Sequence, residues 1–226
     1  MTTVTMGNRR ELSLHAIAQM HQFRHDVFVK RLGWQLPLVD GEERDDYDNA
    51  DAKYLIVSEC GERVTACARL MPTTARYMLP ELFPQLLGTC PTPRDAVVWE
   101  LSRFATSVRE TRDGRILSLS KPTMDLLELV FIFVRQYGVK RLILVTSIGI
   151  ERLMLRAGLS AHRLAPPALV DGNLSIALSI EVPPLATEET HAGPTTLEPD
   201  AEALACEPEG FTQPRSNRET FHAVPA

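Results

Sequence analysis

Residues 118–147 read SLSKPTMDLLELVFIFVRQYGVKRLILVTS, and their reading decides the fold. Residues 118–137 form one long apolar helix, and Gly138 closes it. Two residues later a second apolar run begins, 140–147, rich in Leu, Ile and Val and of strand length. Working outward, 97–107 is a strand upstream, with Asp113-Gly114 as a turn after it. Downstream lie a short helix, 148–157, stopped by Gly158, and two strands, 159–165 and 173–182. In the last of these Leu174, Ile176, Leu178, Ile180 and Val182 alternate, which predicts one buried face. Toward the N-terminus, 14–32 is a helix with Ile17, Met20, Phe23, Val27 and Phe28 at helical spacing and Gly33 at its end. A polar loop without a period covers 34–51, followed by a hairpin of 53–59 and 63–71 turning at Cys60-Gly61-Glu62. Pro72 stops that hairpin, and 78–88 is a short helix broken by Pro80 and Pro84. The order predicts an α/β (α+β) fold: a mixed sheet with helices on both faces.

The chain has 226 residues, 44% of them hydrophobic, as expected of one globular domain plus a tail. Residues 1–183 are read as that domain and 184–226, acidic and rich in Pro, as a disordered tail. The formal charge of -5 divides unevenly: residues 187–226 hold eight acids and two arginines, so the remainder is close to neutral. Residues 40–51 hold seven acids and one Arg, whereas 94–163 hold twelve bases and seven acids. That asymmetry suits a cationic partner near the first half and an anionic one near the second, unless both are solvated faces. No apolar run is long enough to cross a bilayer and the N-terminus has no secretory h-region, so the expectation is cytoplasmic with no stable membrane association. The four cysteines form no CxxC and no His stands at zinc-ligand spacing, so no metal is expected; Cys60 and Cys67 are either a disulfide or, preferred here, buried thiols.

Three constellations can carry chemistry. The first lies in RHDVFVKRLGWQLPLVDGEERDDYD, residues 24–48: Arg24, Phe28, Arg31 and Trp34 with Asp45 and Asp48. Arg24 and Phe28 are four apart and share a helix face. Aromatics beside carboxylates suit a sulfonium or ammonium cation; the alternative is an Arg–Asp pair tying the loop to the helix, with Trp34 as core. The second is Trp99-Glu100-Leu101-Ser102-Arg103-Phe104, two charges inside an apolar strand. In a regular strand Glu100 and Arg103 face opposite sides, and a bulge would bring them to one cavity. Glu100 is then a candidate general base and Arg103 a carboxylate clamp, against the alternative of a buried ion pair with Arg69 or Arg24. The third is an apolar slot in which Leu142, Leu144 and Thr146 point to one side and face Leu127 and Val130, against the alternative of plain core. No Walker loop, GxGxxG, GxSxG or HExxH is present, and nothing resembles a nucleic-acid module.

Taken together, Arg24-x3-Phe28-x5-Trp34, Asp45-x2-Asp48, Arg69, Phe83 and Glu100-x-Ser102-Arg103-Phe104 resemble the acyl-homoserine-lactone synthases, the bacterial quorum-sensing autoinducer synthases, over about residues 8 to 183. The resemblance implies a GNAT-like N-acyltransferase fold whose mixed, twisted sheet splays in the middle. It implies S-adenosylmethionine as a substrate, with no resident cofactor, and an acyl chain carried on acyl carrier protein or, less often, coenzyme A. The amine of the acceptor takes the acyl group; its carboxylate then closes the lactone and expels 5′-methylthioadenosine. By the same resemblance Glu100, Asp45 and Arg103 are expected to be catalytic. Arg24, Phe28, Trp34, Asp45, Asp48, Arg69 and Arg103 are expected to bind S-adenosylmethionine, and Leu101, Leu127, Val130, Leu144, Thr146 and Ile150 to hold the acyl chain. Coenzyme A acyltransferases of this fold usually carry a Gly-rich loop after the Glu100 strand; here residues 108–115 contain one Gly, which favours carrier protein. Acyl carrier protein is acidic, which suits the bases of 94–163. Leu144 stands where relatives selective for 3-oxo chains often have Thr, which favours an unsubstituted chain. The competing functions are a GNAT acetyltransferase using acetyl-CoA and a non-catalytic acyl-carrier-binding homologue. Oligomeric state is not legible.

Overall fold

The computed structural model describes residues 1–61, 63–107 and 119–184. The expected tail, the Asp113-Gly114 turn and the loop over 108–115 therefore lie outside the described residues, apart from Pro184. One twisted sheet runs in the order β1 (Thr2–Asn8), β4 (Lys53–Glu59), β5 (Arg63–Pro72), β6 (Val98–Thr106), β7 (Arg141–Ser147), β10 (Asn173–Glu181) and β8 (Ala161–Arg163), with β9 (Ala168–Val170) also paired to β10. All pairings are antiparallel except β6 with β7. That exception follows from the chain's path, because α3 (Lys121–Arg135) crosses over between the two strands.

The parallel ladder is short. It pairs Val98 with Arg141, Trp99 with Leu142 and Glu100 with Ile143, and no further. Past that rung β6 stays with β5 and β7 stays with β10, so the sheet parts in the middle. Two cores occupy its two faces. One gathers Ile17, Met20, Val27 and Phe28 from the first helix with Tyr54, Met71 and Ile143. The other gathers Leu126, Leu127, Val130 and Val134 of α3 with Leu55, Leu70, Trp99, Leu142 and Leu178.

Helix ends differ from the periodicity for identifiable reasons. The side chain of Ser120 caps α3 and Pro122 sits in its first turn, so the helix starts at Lys121 rather than 118. Gly138, at φ 71°, takes the left-handed conformation that ends it. The expected helix over 14–32 is α-helical only for α1 (Leu14–Arg24) and continues as a π-helical segment, His25–Arg31. The polar loop contains a two-residue hairpin, β2 (Leu38–Val39) with β3 (Glu42–Glu43). The helix over 78–88 divides into α2 (Met78–Leu82) and a 3₁₀ turn, Pro84–Leu86, as its prolines require. The strand over 159–165 contracts to β8, with α4 (Ile148–Arg156) before it. Strand β1 was not expected: TTVTMGN is an edge strand, exposed at its first three residues and only partly buried beyond, with just two apolar side chains, Val4 and Met6. In β10 Ile176, Leu178 and Ile180 are buried as expected, but Ser175, Ala177 and Ser179 between them are buried too, so the strand is covered on both faces rather than one, and Leu174 is exposed at the β9 pairing. Cys60 and Cys67 are not bonded to each other; Cys67 is a buried thiol as expected, but Cys60 is exposed, at the turn between β4 and β5. Among the described residues no helix is long and apolar enough to cross a membrane.

Candidate active site

The second constellation depends on a bulge in β6. Cys67 pairs with Ala105 but Arg69 pairs with Ser102, so β6 carries one residue more than β5 in that interval. The extra residue includes Arg103, at φ 49°. A left-handed Arg costs on the order of 1–3 kcal/mol and has to be over-determined by its surroundings. The Cys67 thiol donates to the Arg103 carbonyl at 3.5 Å, and burial pushes that thiol up to about 12. The bulge changes the parity of the strand. Glu100 and Arg103 now share the α1 face, while Trp99, Leu101 and Phe104 pack on the α3 face.

On the α1 face three arginines interlock with three carboxylates. Arg24 pairs through Nε with Glu43 and bidentately with Asp48, at 2.7 and 2.9 Å. Arg69 grips Asp45 bidentately at 2.5 and 3.0 Å and reaches Asp48 at 3.1 Å. Arg103 donates to Glu43 at 3.1 Å and to Asp45 at 2.8 Å. The Tyr54 hydroxyl donates to Asp48 at 3.0 Å, and Arg69 also donates to Ser102 Oγ and Met78 Sδ. Arg24, Arg69 and Glu43 are fully buried, so each charge is compensated where water cannot reach it. Burial opposes ionisation of Asp48, yet Arg24 and Arg69 outweigh it and hold that carboxyl well below the usual range. Asp45 is also lowered, with Arg69 and then Arg103 overcoming its burial. These pairs realise the alternative reading of the first constellation, in which Arg24 and Asp48 tie the loop to the helix.

The aromatics are placed beside this cluster. Phe28 and Trp34 stack with centroids 4.8 Å apart, and the Arg103 guanidinium lies 5.8 Å from the Phe28 ring. Trp34 is only half-buried, and its indole Nε1 has no hydrogen-bond partner. A tryptophan that only filled the core would bury its ring and satisfy its N–H. Phe83 is buried in the same core at the end of α2. Arg31 lies at the rim, donating to the Thr106 carbonyl at 3.1 Å.

Glu100 stands apart from the arginine network. Its two oxygens accept the backbone N–H groups of Met78 and Leu79, at 2.9 and 2.7 Å. Burial raises its pKa to about 6, against the amides of Met78 and Leu79 and then Arg69 and Arg103, which lower it. It sits on the last rung of the parallel ladder, where β6 and β7 part.

The acyl-slot residues lie on the opposite face. Leu101, Leu127, Val130 and Leu144 belong to the α3-side core, Ile150 packs against it, and Thr146 is half-buried on β7. Leu101 and Leu144 are the first residues beyond the Glu100–Ile143 rung, so they flank the opening. The two sets of candidates therefore meet only where the sheet splays. A separate cavity of about 280 Å³, lined by Arg135, Lys140, Val182 and Pro183, lies at the far end of α3 and contains no candidate residue.

Sequence reasoning missed Glu43, which ties Arg24 to Arg103. It was counted within an acidic run, although its spacing of two from Asp45 was a usable signal. It also missed Tyr54 and the two amides that hold Glu100; backbone donors leave no residue-type signature.

A family model of autoinducer synthases matches residues 8–188. An acyl-homoserine-lactone synthase of Acinetobacter nosocomialis is 36% identical over 182 residues, which is 79% of this chain and 99% of that protein. The crystal structure of the AHL synthase LasI superposes with a TM-score of 0.71 at 33% identity, covering 81% of this chain and 91% of that one. A CoA-dependent acyl-homoserine lactone synthase, BjaI, solved with MTA and with SAM and isopentyl-CoA, superposes at 0.70 with 29% identity, covering 80% and 84%. These neighbours share the GNAT-like acyltransferase fold.

Proposed function

Because the chain belongs to the autoinducer synthase family and is an acyltransferase, we propose that it makes an N-acyl-L-homoserine lactone from S-adenosylmethionine and an acyl-carrier-protein thioester. The observation that carries this reading is Glu100: a buried carboxyl at the point where the sheet opens, charges on one face and an apolar slot on the other. An α-amino group titrates near about 7.7–8.0, and an ordinary Glu near about 4.3 is a poor base for it. At about 6 the Glu100 carboxylate comes within roughly two units of it.

In the first step Glu100 takes a proton from the α-ammonium, directly or through water. The amine attacks the thioester carbonyl, the N–C bond forms, the C–S bond breaks and the carrier thiol leaves protonated. In the second step the substrate's own carboxylate attacks its γ-carbon. The C–S bond to the sulfonium breaks, and 5′-methylthioadenosine departs as a neutral thioether. That closure needs no protein nucleophile, because positioning supplies most of the gain in an intramolecular displacement. Asp45, the most exposed carboxylate of the cluster, holds the ammonium end. Phe28 and Trp34 pack against the adenine or sulfonium. Arg24, Arg69 and Arg103 brace Asp45 and Asp48, and Arg103 also meets the substrate carboxylate. The acyl chain passes Leu101 and Leu144 into the slot of Leu127, Val130, Thr146 and Ile150, and Leu144 supports an unsubstituted chain.

For the donor, six exposed bases support a carrier protein: Arg94, Lys121, Lys140, Arg152, Arg156 and Arg163. Both substrates are made in the cytoplasm, which supports that location. The test is release of 5′-methylthioadenosine by the purified enzyme with acyl-carrier protein and with acyl-CoA, alongside mass spectrometry of the lactone. Turnover with carrier protein is expected to exceed that with CoA and to fall about tenfold as salt rises from low to half-molar. Salt-independent rates with acyl-CoA preferred would contradict the donor assignment and place the chain with CoA-dependent synthases such as BjaI.

A further inference from the structure

Tyr47 lies between Asp45 and Asp48 in sequence, and its backbone N–H donates to Asp45 at 2.9 Å. Its ring is buried, while its hydroxyl leaves the acid loop and donates to Glu81 on α2 at 3.0 Å. Arg76 completes this contact. It donates to Glu81 at 2.8 and 3.0 Å, and its guanidinium lies 5.0 Å from the Tyr47 ring, with Arg69 at 5.8 Å. Burial, and then Glu81, push the Tyr47 hydroxyl above its ordinary value, so it stays a donor at neutral pH. Arg76 and Glu81 are largely exposed, and an exposed pair contributes little to stability. Their position is more telling: Glu81 is three residues from Met78 and two from Leu79, the residues whose amides hold Glu100.

We propose that Tyr47, held by Glu81 and Arg76, is a positioning residue that fixes α2 against the acid loop and so keeps the Met78 and Leu79 amides on the Glu100 carboxylate. This rests on Glu100 being the base. The amides favour the charged form of Glu100, so a displaced α2 that weakens those hydrogen bonds raises the pKa of the base. The groups facing Glu100 are Arg69 from β5, Arg103 from β6, Tyr47 from the acid loop and Tyr77 at the start of α2. The arginines keep their charge, and burial pushes both tyrosines up, Tyr77 to about 12. Glu100 is therefore the group of this set that titrates between about pH 5 and 9.

The experiment is the pH profile of kcat, at saturating acyl donor and S-adenosylmethionine, for wild type, Tyr47→Phe, Glu81→Gln and Glu100→Gln, with melting temperatures. In Tyr47→Phe the acid limb is expected to move about one unit to higher pH, so that kcat falls about twofold at pH 7 and about tenfold near pH 5. It should recover toward wild type by about pH 9, because at that pH the base is ionised in both proteins. KM for S-adenosylmethionine should change less than about twofold, since a positioning effect lives in kcat. Glu81→Gln should move the limb in the same direction. An unchanged profile, or a uniform loss at every pH with a lowered melting temperature, would overturn the proposal. The failures separate: if Glu100→Gln is crippled while Tyr47→Phe keeps the wild-type profile, the positioning role alone is wrong. If Glu100→Gln turns over normally, the base assignment is wrong and this role goes with it.

Discussion

The two faces of the sheet meet at the Glu100–Ile143 rung and are built on opposite principles. The α1 face holds Arg24, Arg69 and Arg103 locked onto Glu43, Asp45 and Asp48 by directional bonds. The α3 face holds Leu101, Leu127, Val130, Leu144 and Ile150, which touch without directional demands. A charged acceptor requires fixed geometry, and a buried ion network provides it only if every partner is present. An alkyl chain requires volume, and an apolar wall can be resized with modest penalty. On the proposed function, the charged half should therefore tolerate almost no substitution, while the apolar half should tolerate change and translate it into chain selectivity.

The largest effect is expected from Glu43→Ala on the charged face. Removing Glu43 strands Arg24 and Arg103 without one of their buried partners, and breaking a buried pair costs about 3–5 kcal/mol. Urea unfolding should show a loss of that order, and turnover should fall for every acyl donor alike. A loss below about 1 kcal/mol would mean the network is redundant. On the apolar face, Leu144→Ala should act differently. Discrimination between acyl chains differing by two carbons should shift about tenfold toward the longer chain, with KM for S-adenosylmethionine nearly unchanged. Competition between two acyl donors, read by lactone mass, measures it; an unaltered product ratio would remove Leu144 from the slot.

What the sequence could reveal follows the same division. The apolar face was legible because burial leaves periodicity: Leu142, Leu144, Ile176, Leu178 and Ile180 alternate, and all lie in one core. The need for a bulge was legible at Glu100 and Arg103, since their odd spacing cannot otherwise serve one site. The pairing scheme was not. Which carboxylate meets which arginine depends on how the loop over 34–51 folds back, and that loop has no period to read. The balance at Glu100 was also beyond residue counting, because it turns on desolvation against two backbone amides as much as on Arg69 and Arg103. Strand β1 escaped because Val4 and Met6 are its only apolar side chains, too short a pattern to mark a buried face.

In the proposed reaction a buried carboxylate serves as base at the mouth of the splay, and the pH dependence of kcat/KM for S-adenosylmethionine tests this directly. A base must be unprotonated, and burial has raised Glu100 to about 6, so activity should fall as pH drops through about 6. The decline should approach tenfold per unit below that. In Glu100→Gln the limb should vanish and turnover should fall at least about a hundredfold, with S-adenosylmethionine still binding within a few-fold of wild type. A wild-type limb near the ordinary Glu value, or near-normal turnover in Glu100→Gln, would contradict it.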